Sequence, residues 1–367
     1  MKFSIKREIF LQPLSQVIGV VERRQTLPVL ANFLFQAKSG GRLFITGTDM
    51  EVELIASAAA KVEREGEITV PARKLLDIVR MLPDGADIGA TLEGEKFTVS
   101  SGRSRYTLAT LPATDFPATD QFETVESIEI QEDSFKNLLD KTSFAMANQD
   151  VRYYLNGLLL EFKDGTLKAV ATDGHRLAVC DFSGEVQIKQ NRQIIVPRKG
   201  VLELARIVTD SQEKVILGLG KNHVRLQKGS IALTSKLIDG RFPDYQAVIP
   251  VGTDRKIQAD RAGLVVALQR AAILSNEKYK GVRLEAAGKV VKIMAHNPQN
   301  EEAEEVVEAE LNFDQLTIGF NVVYLLEALN AIESEQVSME MRDANSSCLI
   351  MAAGGGEDRH VVMPLKL

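Results

Sequence analysis

Apolar residues recur along this chain with two periods, and the two alternate in a fixed order. Phe3 with Ile5, Ile128 with Ile130, and Ile257 each open a short strand. A helix-length stretch follows each strand. In the second such stretch Phe135, Leu138, Leu139 and Thr142 stand at positions i, i+3, i+4 and i+7, and in the third Leu264, Ala267, Leu268 and Ala271 repeat that spacing. Period two then returns, with Met50, Val52 and Leu54 on one face and Glu51 and Glu53 on the other. A second helix follows, opened by Pro71 or Pro197 in its first turn, where a missing N–H is tolerated.

The second helix keeps its phase through three copies. Its apolar stripe is Leu75, Ile78, Val79 and Leu82, then Val201, Leu204, Ala205 and Val208, then Leu325, Ala328, Leu329 and Ile332. An acid holds the same place in each: Asp77, Glu203 and Glu327. Thr48-Asp49 returns as Thr172-Asp173, and Phe116-Pro117 as Phe242-Pro243. A repeat of this length is a whole domain. The expected fold is α+β, three tandem copies of one unit with helices on one face of mostly antiparallel sheets. The expected domains are residues 1–125, 126–252 and 253–367, joined near 112–127 and 240–255. Such a protein is expected to work through its shape.

Composition narrows this. A formal charge of −6 argues against a nucleic-acid partner unless basic residues are concentrated locally. The basic residues do gather on the expected helices: Arg23-Arg24, then Arg73, Lys74 and Arg80; Lys136 and Lys141, then Arg198, Lys199 and Arg206; and, more thinly, Arg261 and Arg270. Cys180 and Cys348 lack metal or redox spacing, the opening residues carry no apolar signal core, and no segment is apolar enough to span a bilayer. A cytoplasmic protein without membrane association is expected.

Asp173 and His175, in Thr172-Asp173-Gly174-His175-Arg176, are the most enzyme-like pair, spaced for acid–base work or metal ligation. The first copy keeps the Asp and lacks the His, so a side-chain-closed turn is the plainer reading. Glu301, Glu302, Glu304 and Glu305 read as a solvated acidic strand, with no calcium-loop pattern around them. His223, His296 and His360 lack ligand spacing, and no phosphate loop or nucleophile elbow appears. No catalytic residue, metal or cofactor is expected. The competing readings are an enzyme centred on Asp173 and His175 and a dimeric scaffold built from repeats.

Several strings carry a resemblance. Val151-Arg152-Tyr153-Tyr154-Leu155-Asn156-Gly157, Ala171 to Val179, Ile195 to Val201, Asp239 to Tyr245 and Ala271 to Lys278 closely resemble the bacterial β sliding clamp family, the processivity subunits of DNA polymerase III. The resemblance runs from Met1 to Pro364. It implies a head-to-tail dimer of three-domain chains, a ring with sheets outside and helices lining a central pore. The ring encircles duplex DNA, is placed there by an ATP-driven loader, and hydrolyses nothing itself. Phosphate contacts carry no sequence information, so such a ring slides.

By resemblance the DNA contacts are Arg24, Arg73, Lys74, Arg103, Arg105, Gln149, Arg198 and Lys199. Tyr153 and Tyr154 suit either stacking on duplex or single-stranded template or ordinary strand-edge packing. The dimer contact sets Tyr106 and Leu108 against Ile273 and Leu274, with Lys74, Arg103 and Arg105 facing Glu301, Glu302, Glu304 and Glu305, so those three cations are claimed by two roles. A peptide groove is expected from Leu155, Thr172, Gly174, His175, Arg176, Leu177, Pro243 and Val248, and from Asn321, Tyr324, Ser347, Val361, Val362, Met363, Pro364 and Leu365. Its implied occupants are motifs with glutamine and hydrophobic anchors, from the polymerase α subunit, the loader δ subunit, translesion polymerases and mismatch repair proteins. Asn345 and Lys366 depart from the family at the groove rim, where relatives carry an aliphatic residue and arginine.

Overall fold

A computed structural model describes residues 1–21, 27–117 and 122–366. Arg23 and Arg24 lie outside the described residues. The six α-helices of the described chain are α1 (Arg7–Val17), α2 (Ala72–Met81), α3 (Glu132–Asp140), α4 (Arg198–Ile207), α5 (Arg261–Ala272) and α6 (Val322–Ala331). Each copy runs strand, helix, strands, helix, three strands, in the order the periodicities predict.

The predicted stripes are the buried ones. Phe135, Leu138, Leu139 and Thr142 are fully buried, as are Leu325 and Leu329, while Leu264, Ala267, Leu268 and Ala271 are at most 1% exposed. In the first copy α1 lays Phe10, Pro13, Leu14 and Val17 inward. Five phenylalanines, Phe3, Phe10, Phe33, Phe35 and Phe97, pack there as a chain of ring contacts. Helix α1 packs on α2, and α5 on α6.

Pro71 and Pro197 sit one residue earlier than expected. Each ends a strand, Gly66–Pro71 or Arg192–Pro197, rather than lying in the first turn of the helix behind it. Both strands are outermost in their sheets, where a residue without an N–H leaves no ladder bond unmade. In the third copy Asn321 ends the corresponding edge strand and caps α6, its Oδ1 accepting from the Val323 N–H at 2.9 Å.

The sheets do not stop at the copies. An eight-stranded sheet carries Val52–Ala59 of the first copy antiparallel to Ile231–Lys236 of the second, with Leu54 opposite Leu233. A twelve-stranded sheet carries Arg176–Asp181 of the second copy antiparallel to Asp358–Val362 of the third, with Ala178 opposite His360. The same rule operates twice: the third inner strand of one copy pairs with the last strand of the next. Contacts accordingly divide the chain into two compact units, Met1–Glu132 with Leu202–Leu237, and Asp133–Val201 with Ile238–Leu367.

Two strands stand outside this rule. Ser104–Ala109 ends a five-stranded sheet and pairs only with Lys96–Ser101. In the strand Glu302–Leu311, residues Glu302 to Glu308 pair with Val290–His296 on one side, and the other side is used only from Ala309 to Leu311.

Candidate functional site

The Asp173 loop is built by hydrogen bonds. Asp173 Oδ1 accepts from the backbone N–H groups of His175 (2.9 Å) and Arg176 (3.1 Å), and the Thr172 hydroxyl donates to Arg176 O at 2.5 Å. The first copy repeats this bond for bond: Asp49 Oδ1 accepts from Glu51 N (2.9 Å) and Val52 N (2.7 Å), and Thr48 Oγ1 donates to Val52 O at 3.0 Å. The carboxylate that resembled half of an acid–base pair thus closes a turn, and the enzyme reading loses its motive. Among the described residues no cluster of three or more His, Cys, Asp and Glu could hold a metal ion.

The turn presents Arg176 to a dense set of partners. Its guanidinium meets Glu327 of α6, Asp173 Oδ2 at 3.2 Å and the carbonyl of Phe144 at 2.7 Å. It lies 4.5 Å from the centroid of Tyr324 and 5.4 Å from that of Phe144, close enough for cation–π attraction. His175 stacks on Tyr324 at 6.5 Å with planes 16° apart. Burial pushes the Tyr324 hydroxyl above its usual pKa, with Asp173 adding to the rise. Met363 N donates to His175 O at 3.0 Å, which ties the C-terminal segment to the turn.

Beside this stack lies an apolar cluster of Leu155, Leu159, Leu177, Phe242, Tyr245 and Val361, with Tyr154 and Ile249 against it. Leu155, Leu177, Val361 and Val362 are at most 3% exposed, so they form the floor of this surface and not its reachable edge. His175, Pro243, Val248 and Met363 are exposed; Thr172, Gly174, Asn321, Ser347, Pro364 and Leu365 are half-buried. Leu365 N is tied to Gly319 O at 2.8 Å. Phe144, Phe242, Tyr245 and Glu327 were missed as members of this surface. The shared acid position of Glu327 and the repeated Phe-Pro were the signals that pointed to two of them.

Under the surface is a buried charged network. Lys141 reaches Asp358 Oδ1 at 3.2 Å, and Asp358 Oδ2 lies 3.2 Å from His360 Nε2. Burial opposes both charges, yet Asp358 holds Lys141 above its ordinary pKa, and His360 and Lys141 hold Asp358 below its own. Lys141 therefore does not belong to an exposed basic face. Arg206 is exposed, but its charge is committed: it pairs with Glu203 at 2.6 Å and donates to the carbonyls of Ser15 (3.0 Å) and Gln16.

Of the expected DNA contacts, Arg73, Lys74, Arg103, Arg105 and Gln149 are exposed. Arg73 donates to Val21 O at 3.1 Å and Arg198 to Met146 O at 3.0 Å; Arg198 and Lys199 are half-buried. Gln149 holds a left-handed φ of 59°. Beside it Arg152 fastens onto Asp150 through its backbone N–H, Nε and Nη2, which draws the Asp150 carboxyl down to about 2. Tyr153 is exposed and meets Tyr154 edge-on at 5.7 Å. Tyr154 packs against the apolar core, and Tyr153 faces out.

Of the expected dimer contacts, Leu108 is 9% exposed and Ile273 is 77% exposed. Glu304 and Glu305 already have partners within the chain, Lys292 at 3.1 Å and Arg270 at 2.6 Å.

Three tandem α+β units joined by shared antiparallel sheets define a clamp-domain architecture. The chain belongs to the DNA polymerase III beta subunit family, matching its N-terminal domain over residues 1–120, its central domain over 129–244 and its C-terminal domain over 246–366. It is 50% identical to the beta sliding clamp of Pseudomonas aeruginosa and 46% identical to that of Escherichia coli, each over 100% of both chains. Its structure superposes on the crystal structure of the Pseudomonas aeruginosa DNA polymerase III subunit beta with a TM-score of 0.95 at 50% identity. The sliding clamp of Bartonella birtlesii bound to griselimycin gives 0.96 at 35% identity, with full coverage of both chains in each case. Family membership makes the chain a sliding clamp, a processivity factor and not an enzyme. No described helix is long and apolar enough to cross a membrane.

Proposed function

We propose that two copies of this chain close head to tail into a ring around duplex DNA and tether the replicative polymerase through the surface around His175 and Tyr324. The observation that carries this is the unfinished sheet rule. Twice, a third inner strand pairs with the last strand of the next copy. The third instance requires the open side of Glu302–Glu308 to meet the open edge of Ser104–Ala109, and within one chain these strands do not pair. An uncovered edge is a template for another chain. A contact between the first domain of one copy and the third of the other, made twice, closes with twofold symmetry.

Charge fits this edge pairing. Arg103 and Arg105 are exposed at the tip and start of one edge, and Glu301, Glu302 and Glu304 are exposed along the other. Tyr106, Leu108, Ile273 and Leu274 supply the apolar part. The domain limits in this reading are 1–125, 126–252 and 253–367; the family models match residues 1–120, 129–244 and 246–366.

The DNA contacts are Arg24, Arg73, Lys74, Gln149, Tyr153, Arg198 and Lys199, with Arg103 and Arg105 given to the dimer. They act on phosphates and are indifferent to sequence. The groove takes an extended peptide whose leucine or phenylalanine settles over the Leu155, Leu177 and Val361 floor, between Pro243, Val248 and Met363. A relative crystallised with griselimycin supports a ligand-accepting surface in the family. The loader's δ subunit, translesion polymerases and mismatch repair proteins compete for the same groove, in the cytoplasm.

The test is retention on DNA. The protein is loaded onto nicked circular duplex with a clamp loader and ATP, and the circle is then cut. Association that is stable on the circle and lost on cutting is the expected result. Equal binding before and after cutting would leave an ordinary surface binder in place of the ring.

A further inference from the structure

The acid shared by the three second helices has a common task in two of them. At the first junction Glu203 of α4 holds Arg206, whose guanidinium donates to the carbonyls of Ser15 and Gln16 in the last turn of α1. At the second junction Glu327 of α6 holds Arg176, whose guanidinium donates to the carbonyl of Phe144, just beyond α3. In both, an acid on the second helix of one copy fixes an arginine over backbone carbonyls where the first helix of the copy before ends, in its last turn at the first junction and in the 3-10 turn Ser143–Ala145 that follows it at the second. At the first junction the cation also meets the negative end of the α1 dipole. The arginine is drawn from different elements, so the arrangement and not the residue is what recurs.

The third acid, Asp77 of α2, has no such partner. It is exposed, as is Arg80, and neither makes an ion pair with a described residue. Arg80 stands three residues after Asp77, as Arg206 stands three after Glu203. In the head-to-tail ring proposed above, the first helix of the copy preceding α2 is α5 of the other chain, so the helix end that Asp77 and Arg80 would cap is α5 of that chain. Matching the buried stripe of α1 (Phe10, Pro13, Leu14, Val17) to that of α5 (Leu264, Ala267, Leu268, Ala271) puts Ser15 and Gln16 at Gln269 and Arg270.

Resting on the head-to-tail reading above, we propose that Asp77 and Arg80 form a clasp on a second copy of this chain, with Arg80 donating to the carbonyls of Gln269 and Arg270 of that copy. The neighbouring side chains fit. The position of Gly19, where a Cβ would run into Arg206 and Glu203, is occupied by Phe144 at the second junction and by Ile273 at the third. Phe144 lies beneath the Arg176 guanidinium at 5.4 Å. Ile273, 77% exposed, is placed to lie beneath Arg80 in the same way, and aspartate, one methylene shorter than glutamate, leaves room for it. The charge of Arg270 is already neutralised by Glu305, through bonds of 2.9 and 2.6 Å, so two arginines do not meet unscreened.

The experiment measures the dimer dissociation constant by dilution-dependent sedimentation for the wild type and for Arg80→Ala. A hydrogen-bonded charge is worth about tenfold, and the clasp occurs twice per dimer, so a rise of about a hundredfold is expected. A second variant reports geometry independently of affinity. Arg80→Cys with Gln269→Cys should yield a covalent dimer with a short bis-maleimide, against a quiet background because Cys180 and Cys348 are buried. A dimeric wild type whose Arg80→Ala variant dissociates within threefold of it, or whose cysteine pair fails to join copies, would overturn the clasp and leave the ring intact. A wild type that stays monomeric at all concentrations would overturn the ring itself.

Discussion

Met50 and Gly174 hold the same place in the same turn, at φ 77° and 88°, although only one of them is glycine. A side chain in the left-handed region costs about 1 kcal/mol. Met50→Gly should therefore raise stability slightly, by at most about 1 kcal/mol, with the gain reduced by the freedom glycine has in the unfolded chain. Gly174→Ala should lower it by about 1–2 kcal/mol, because a Cβ there would also stand 2.8 Å from Arg152 Nη2. Scanning calorimetry of the two variants should show shifts of opposite sign.

Arg206 is part-exposed, so its removal should cost less than that of a buried ion. Arg206→Ala leaves two helix-end carbonyls and Glu203 without their donor, at about 1–2 kcal/mol. The loss should appear in hydrogen exchange as faster opening of the last turn of α1, far along the chain from the substitution.

The buried Lys141–Asp358–His360 network gives stability a pH signature. The folded pKa of Asp358 lies below its ordinary 3.8, so its contribution is complete above that value and fades as pH falls through the lower folded value. Lys141 is raised above 10.5, so its contribution holds below that value and is lost as pH rises through the folded pKa. Asp358→Asn should cost about 3–5 kcal/mol near neutrality by leaving Lys141 buried without its counter-ion. It should also remove the acid-side decline assigned to this group, measured by melting temperature from pH 3 to 7.

Val306 lies in Glu302–Glu308, the stretch with one unpaired edge, and is 56% exposed. Val306→Glu should leave the melting of the isolated chain unchanged and raise the dimer dissociation constant at least about tenfold, by adding charge to an already acidic edge. A matched loss of chain stability would place Val306 in the core and not at an interface.

Much of this architecture was legible as repetition. The stripes of α2, α4 and α6 could be aligned from apolar spacing alone, because burial of one helix face demands it. The Asp173 turn could be read correctly because its first-copy counterpart lacks the histidine. What stayed hidden was long-range. Lys141 and Arg206 look like surface cations in the sequence, and only the folded chain brings Asp358 to one and the end of α1 to the other. Nor does periodicity say that Val52–Ala59 pairs with Ile231–Lys236, since a period of two describes a strand's faces and not its neighbours. The position shared by Asp77, Glu203 and Glu327 was visible from the start, but its meaning needed the arginines in place.

Because neighbouring copies share sheets, the borders of this chain's domains are not its fault lines. Pulling one copy from the next would unzip a ladder such as Leu54 with Leu233, and the covalent chain would still hold the halves together. In the proposed ring the edge between two chains would have the same ladder and no such tether. A load that opens the assembly should therefore part it there first and return each chain whole, ready to close again.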